Sequence, residues 1–333
     1  MKTVLCASFL AAVGSVSHVA HAGPTASAPG SFNDGNISFV LGIDTSQRVW
    51  ENSRSYGGTY VGWSQLQYTG NPYFYTQVNG IYLSTHNMLG ALSVSSTGQP
   101  YANPSTFGSA WQGWNALPTF TADAGTSIAA VADPTHDQVA AYLTHGSSVW
   151  VSRMTWGYAF GGWRQLSGSM FVNAVSTPAV AHMSPISHPD LELVCVTTSV
   201  SQIYCRQISS NTEVDQWTSV YPPGGWNVGG NPLNIGRLAP AVGCSANGTC
   251  SIFATDQNSG RIVVSVAASN APTTTWSNWA YVGTLTSFDS PFVTVLDNGT
   301  CVLFATDKNG NVQVTQASAP TSLGSWSAIP GSF

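Results

Sequence analysis

Short apolar runs of five or six residues, each closed by a turn rich in Gly, Asn or Asp, recur along this chain from end to end. The clearest copy is SPFVTVLDNGTCVLFATDKNGNVQVTQASAPTSLGSWSAIPG, residues 290–331. It reads as four strands in succession: PFVTV, then a turn at Asp297-Asn298-Gly299, then CVLFAT, a turn over residues 307–310, the alternating NVQVTQA, and a closing strand centred on Trp326. β-Branched and aromatic residues fill the runs, Asn-Gly is the strongest hairpin signal, and Pro is tolerated at a strand's first position.

The rest of the chain repeats this unit. Residues 239–279 carry the same Asn-Gly-Thr-Cys and Ala-Thr-Asp, and more degenerate copies occupy approximately 176–220, 126–166 and 71–117. A first copy over about 28–66 aligns with the last when Asp44 is placed on Asp307. The closing tryptophans Trp63, Trp114, Trp163, Trp217, Trp279 and Trp326 are spaced by 51, 49, 54, 62 and 47 residues, close to the length of a four-stranded propeller blade. A lone meander cannot bury both faces, so the units must stack around an axis. The expectation is an all-β, six-bladed β-propeller of four-stranded antiparallel blades, one domain over 23–333. Pro-Gly-Ser-Phe occurs at 29–32 and again at 330–333, the two places where such a ring has to be sealed.

Ahead of the repeats, Lys2 precedes an apolar stretch over residues 3–16, and Ala20-His21-Ala22 places small residues where a signal peptidase reads them. Residues 1–22 therefore read as a signal peptide and the protein as secreted and extracellular, without a membrane span. Of six cysteines, Cys6 leaves with the signal. Cys195 and Cys205 lie equidistant from the turn near Val200, and Cys244 and Cys250 flank Asn247-Gly248, so each pair is expected to face across a hairpin as a disulfide worth about 2–3 kcal/mol. Cys301 has Val295 at its partner position and is left over, either as a buried free thiol or for a bridge to another chain. Sequons occur at Asn36, Asn247 and Asn298, although Asn-Gly is also what a tight turn requires.

Composition narrows the partners. Only 7% of the residues are charged, while Gly (33), Trp (12) and Tyr (12) are frequent, so the chain is not disordered. Without Lys2 there remain 8 basic and 14 acidic side chains, a net of −6, and beyond that segment Lys308 is the sole lysine. No basic cluster offers itself to nucleic acid. No Cys/His spacing resembles a zinc site, and no cofactor is expected.

Three aspartates, Asp44, Asp256 and Asp307, sit at one repeated position just after a strand, where a short acceptor stabilises a turn. Unrepeated polar residues are where a single active site would lie. His86, His145, His182, Glu192 and Asp289 are accordingly the candidates should the chain be a polysaccharide lyase or glycoside hydrolase with its site at one mouth of the central channel. What recurs instead is aromatic. Each closing Trp either packs between blades or offers an indole face to a sugar ring, with Arg48, Arg153, Arg206 and Arg261 as polar partners on or beside third strands.

Units of the form SPxVxVxxxGxxxxFAxDxxGxVxVxQ…WSxW, best seen in 290–329 and 239–279, resemble the repeats of the PLL-type propeller lectins, secreted fucose-binding proteins of seven blades. More distantly they are similar to tectonins and to the six-bladed fungal fucose lectins. The resemblance spans about residues 28–333 and implies non-catalytic glycan binding in clefts between blades; separately from it, the chain is expected to be a monomer or dimer. The chain departs from the PLL pattern in having six units and in showing no polar signature common to all of them. The lectin and the polysaccharide-degrading enzyme thus both stand on the sequence.

Overall fold

The computed structural model describes residues 30–330 apart from the short segments 34–36, 56–57, 67–71, 75, 107–108, 119, 134, 156–158, 185–187, 210–211, 268–274 and 297. The expected signal segment, the sequon at Asn36 and residues 331–333 lie outside the described residues. Six antiparallel sheets follow one another in chain order and form a six-bladed β-propeller. Blade 1 comprises Gly30–Asn33, Ile37–Ile43, Val49–Ser55 and Ser64–Gln65; blade 6 comprises Phe292–Val295, Cys301–Thr306, Val312–Ala317 and Ser327–Ala328. A four-residue helical turn, Ser169–Val172, and a two-stranded ribbon, Asn227–Val228 with Asn231–Pro232, decorate the connections.

The first strand of every blade lies nearest the axis. Gly30–Asn33, Asn79–Leu83, Ala129–Asp133, Ala179–Ser184, Ala241–Cys244 and Phe292–Val295 pack side by side, and the last returns against the first. We call the end bearing the first-to-second strand turns the upper end, and that bearing the second-to-third turns the lower end.

The continuous apolar runs follow from this stacking. A second strand such as Met88–Val94 or Cys250–Asp256 is buried at every position because a neighbouring blade covers each of its faces. The core is therefore six apolar clusters, one at each blade junction, rather than a single centre. Phe253 and Phe304, both fully buried, serve the 5/6 and 6/1 junctions.

The seal between blades 6 and 1 shares no strand. All four strands of blade 1 come from the N-terminal unit and all four of blade 6 from the C-terminal one. Closure rests on Val40 against Leu296, Val302, Phe304, Val314 and Ile329, with Tyr60 and Trp63 packed beside them. Two polar ties cross the seam, from Asn52 Nδ2 to the Pro330 carbonyl (3.4 Å) and from Arg54 to Gln316. The proline of the repeated Pro-Gly-Ser-Phe thus does rest against the first blade.

Both expected disulfides are present. Cys195 and Cys205 are directly opposite in the second and third strands of blade 4, and Cys244 and Cys250 face each other in the first and second strands of blade 5. Cys301 is a free, buried cysteine, and burial pushes its thiol up to about 12.

Because the seam is held chiefly by side-chain packing, Phe304→Ala should lower unfolding stability by about 3–5 kcal/mol. Urea denaturation followed by tryptophan fluorescence checks this, and a loss below about 1 kcal/mol would contradict the role given to the seam.

Candidate functional site

Each closing tryptophan stands immediately before an outermost strand: Trp63 before Ser64–Gln65, Trp114 before Asn115–Ala116, Trp163 before Arg164–Gln165, Trp217 before Thr218–Ser219, Trp279 before Ala280–Thr286 and Trp326 before Ser327–Ala328. Every one of them packs into the cluster between its own blade and the preceding one. Trp114 and Trp279 are buried, whereas Trp63, Trp163, Trp217 and Trp326 are half-buried. The recurrent Gly-Trp has a backbone cause, since Gly62, Gly113 and Gly162 have φ of +113°, +99° and +89°, a region that side chains avoid.

The strand register reveals a polar signature that the residue pattern hides, and so corrects the expectation that there is none. The third-strand residues Asn52, Asn103, Ser152, Arg206, Ser265 and Thr315 occupy one equivalent position, next to the residue paired with the start of the outermost strand. All six are buried and polar. Four of them fasten the loop that carries the tryptophan. Asn52 and Asn103 accept from the Gly62 and Gly113 N–H groups (3.0 and 2.9 Å), Ser265 donates to the Ser277 carbonyl (2.7 Å), and Thr315 accepts from the Gly324 N–H (3.3 Å). The signal is polarity at a register position, not identity, and sequence spacing alone does not expose it.

The nominated arginines are each engaged within the protein. Arg48 pairs with Asp44 (2.7 Å) and lies over Trp50 (5.5 Å) at the lower end. Arg261, at the equivalent position of blade 5, stacks on Tyr281 (3.8 Å) and donates to the Gly283 carbonyl. Arg206 is buried, donates to the Ser167 carbonyl and pairs with Glu213 (2.7 Å), which Arg164 also reaches (2.8 Å). Arg153 forms a two-pronged pair with Glu192 of the next blade (2.9 and 3.0 Å), and Tyr142 donates to the same carboxylate. Burial pushes the Glu192 carboxyl up in spite of the guanidinium beside it. Arg153 and Arg206 thus tie blade 3 to blade 4.

The five residues nominated for catalysis are not gathered. His182 and Glu192 are cross-strand neighbours in blade 4. His86 sits in an upper turn of blade 2, bonded to Asp137 of blade 3 (2.6 Å). His145 is at the lower end, edge-on to Phe120 (ring centroids 4.9 Å), and Asp289 lies at the lower end between blades 5 and 6, accepting from the Ser290 N–H (2.8 Å). The central channel is lined by Gln77, Asn79 and small apolar residues such as Ala129, Ala179 and Ala241; its volume, about 30 Å³, admits about two waters. Among the described residues no group of three or more His, Cys, Asp and Glu side chains is placed to hold a metal ion.

The 5/6 junction is open. At the upper end between blades 5 and 6 lies a cleft of about 490 Å³, within the range of small-ligand sites. The upper turns of both blades form its walls, residues 318–320 its third side, and Ser251 and Cys301 line its inner part. Its lining is hydroxyl, amide and small apolar groups without a charge. The Ser251 hydroxyl is buried and, among the described residues, has no hydrogen-bond partner. The 4/5 junction is built differently. The inserted connection that lengthens the fourth repeat lays Trp226 against Trp279 (5.6 Å between rings), and the Gly224 N–H donates to Asn278 (2.7 Å).

No family model matches the chain, and no curated protein matches its sequence. Solved structures do match in fold. The BP39L lectin from Burkholderia pseudomallei superposes with a TM-score of 0.64 at 14% identity, covering 93% of this chain and all of that one. A variant of the Aleuria aurantia lectin in complex with Fucα1-6GlcNAc gives 0.62 at 12% identity, over 92% and 96% of the two chains. AofleA from Arthrobotrys oligospora gives 0.60 at 10%, over 92% and 90%. The Aleuria lectin is described as a six-bladed propeller with fucose recognition, so the likeness in fold runs to a six-bladed lectin.

Two outcomes follow from the 3/4 ties. Glu192→Gln or Arg153→Met alone should cost about 3–5 kcal/mol by stranding a buried partner, whereas Arg153→Met with Glu192→Leu should cost far less; a double-mutant cycle by denaturation reads the coupling. Glu213 behaves oppositely to Glu192. Burial opposes its ionisation, but the hydroxyl and N–H of Ser167 with Arg164 and Arg206 outweigh it and hold the carboxyl below its ordinary 4.5. Its stabilisation is therefore present above that pH and lost as pH falls below it, so the gap between wild type and Glu213→Gln should close on acidification. A gap that widens there would reverse the sign.

Proposed function

We propose that this chain is a secreted, non-catalytic carbohydrate-binding propeller, and that the cleft between blades 5 and 6 takes a neutral sugar. The observation that carries the reading is this open cavity, walled by hydroxyl and amide groups with small apolar patches and no charge. Such a lining hydrogen-bonds a pyranose and gives no counter-charge to a uronate or sialate. The half-buried indoles of Trp63, Trp163, Trp217 and Trp326 offer further apolar faces, one per junction, for weaker sites that gain avidity on a multivalent glycan. Fold likeness to lectins described as binding fucose supports the sugar class. The dispersal of His86, His145 and Asp289 away from His182 and Glu192 weighs against one active site at the channel mouth. Secretion is supported by the leader-like N-terminus and by two disulfides, which persist in oxidising compartments.

A glycan array on the mature protein should show retention of neutral oligosaccharides and indifference to acidic ones. Ala319→Trp, which plants an indole on the cleft wall, should weaken the best ligand about tenfold or more, ~1.4 kcal/mol, by calorimetry. Binding that survives this substitution sinks the assignment of the cleft. Release of new reducing ends or unsaturated uronates from a bound polymer sinks the non-catalytic reading.

A further inference from the structure

The upper turns of blades 5 and 6 share three hydrogen bonds, to which the Ser245 hydroxyl of blade 5 adds bonds to Asn247 Oδ1 (2.6 Å) and the Thr249 carbonyl (3.0 Å). In one, the Ser245 N–H donates to the Thr249 carbonyl and the Gly248 N–H to the Ser245 carbonyl (2.9 and 2.8 Å); in the other, the Leu296 N–H donates to Thr300 and the Gly299 N–H to Leu296 at the same two distances. Asn247 and Asn298 cap them, their Oδ1 atoms accepting from the N–H groups of Thr249 and Thr300 (3.0 and 2.9 Å). Both asparagines are exposed, and among the described residues neither Nδ2 donates a hydrogen bond.

The turn itself asks only for an acceptor. Where the same chain needs one at the lower turns of the same two blades it uses aspartate: Asp256 accepts from the Asn258 N–H (3.3 Å) and Asp307 from the Asn309 N–H (2.8 Å). At the cleft the residue is an amide both times, and both times Gly-Thr follows. An amide nitrogen left outward, with a hydroxyl two residues on, is what a turn does not require and a glycan acceptor does. The two asparagines also border one and the same cleft.

We propose that Asn247 and Asn298 are a pair of N-glycan attachment sites on the rim of the 5/6 cleft. The inference rests on the turns and not on what the cleft binds. The donor is a polyprenyl-pyrophosphate-linked oligosaccharide, presented by a transferase of the secretory pathway. Nδ2 forms a bond to the sugar C1, the C1–O bond to pyrophosphate breaks with its electron pair leaving on the pyrophosphate, and Nδ2 gives up one proton. The redox state of every atom is unchanged. Glycans so placed stand at the mouth of the 5/6 cleft, and limit it to ligands that pass between them.

The full chain would be expressed in a eukaryotic secretory host beside a control glycoprotein, then treated with peptide N-glycosidase in heavy-oxygen water and mapped by mass spectrometry. Asn247 and Asn298 should both appear as isotopically marked Asp. Asn247→Asp and Asn298→Asp keep the turn acceptor and so the fold, and each should remove one glycan, as should Thr249→Ala and Thr300→Ala. Unmarked Asn at either position, in material where the control sequon is marked, overturns the pair.

Discussion

Neither face of a blade can be left in water, and everything else in this molecule answers to that constraint. A four-stranded meander with apolar residues on both faces has to be covered twice, and a ring of six such units covers all of them without an end. The six junction clusters follow, as do second strands buried at every position where a one-faced sheet would alternate. The tryptophans belong to the same account. Each lies over the outer part of a junction, and in four blades the buried polar side chain on the third strand holds the loop that delivers it. Indole and polar fastener act together as the device that finishes a junction.

Much of this was legible in the chain. The unit at 290–331 spells its turns in Asn-Gly and Asp-x-x-Gly and its strands in β-branched runs, so strand order, blade number and both disulfides follow from local chemistry. The aspartates read as turn acceptors are that: Asp44 receives the Arg48 N–H, Asp256 that of Ser259, and Asp307 those of Asn309 and Asn311. What was not legible depends on which residues meet across a junction. Arg153 and Glu192 stand 39 positions apart, and no spacing rule joins them. The fastener position varies among Asn, Ser, Arg and Thr and is recognisable only once the register is known. The open cleft was hidden for a related reason, since it is made by small side chains and turns contributed by two different repeats.

The junctions have diverged in opposite directions. Between blades 3 and 4 charged groups are buried and locked to one another; between blades 4 and 5 an insertion stacks Trp226 on Trp279; between blades 5 and 6 a cavity of uncharged groups is left. A repeat that began as one sentence has been edited into structural, closed and open versions. Degeneracy of the units is therefore informative about function, because a change that spoils the consensus at one junction marks where packing was relaxed or reinforced.

The seam between blades 6 and 1 has a consequence for topology. No strand is exchanged across it, and the first strand of the ring and the Pro330 carbonyl lie on its two sides. The two ends of the ring thus meet at a junction that, like the other five, is closed by an apolar cluster. The ring does not need its ends at this junction: joining its first and last strands by a short linker and reopening the chain between any two other blades would leave every sheet intact, and a circular permutation of this ring preserves its architecture while changing only which blade is synthesised first.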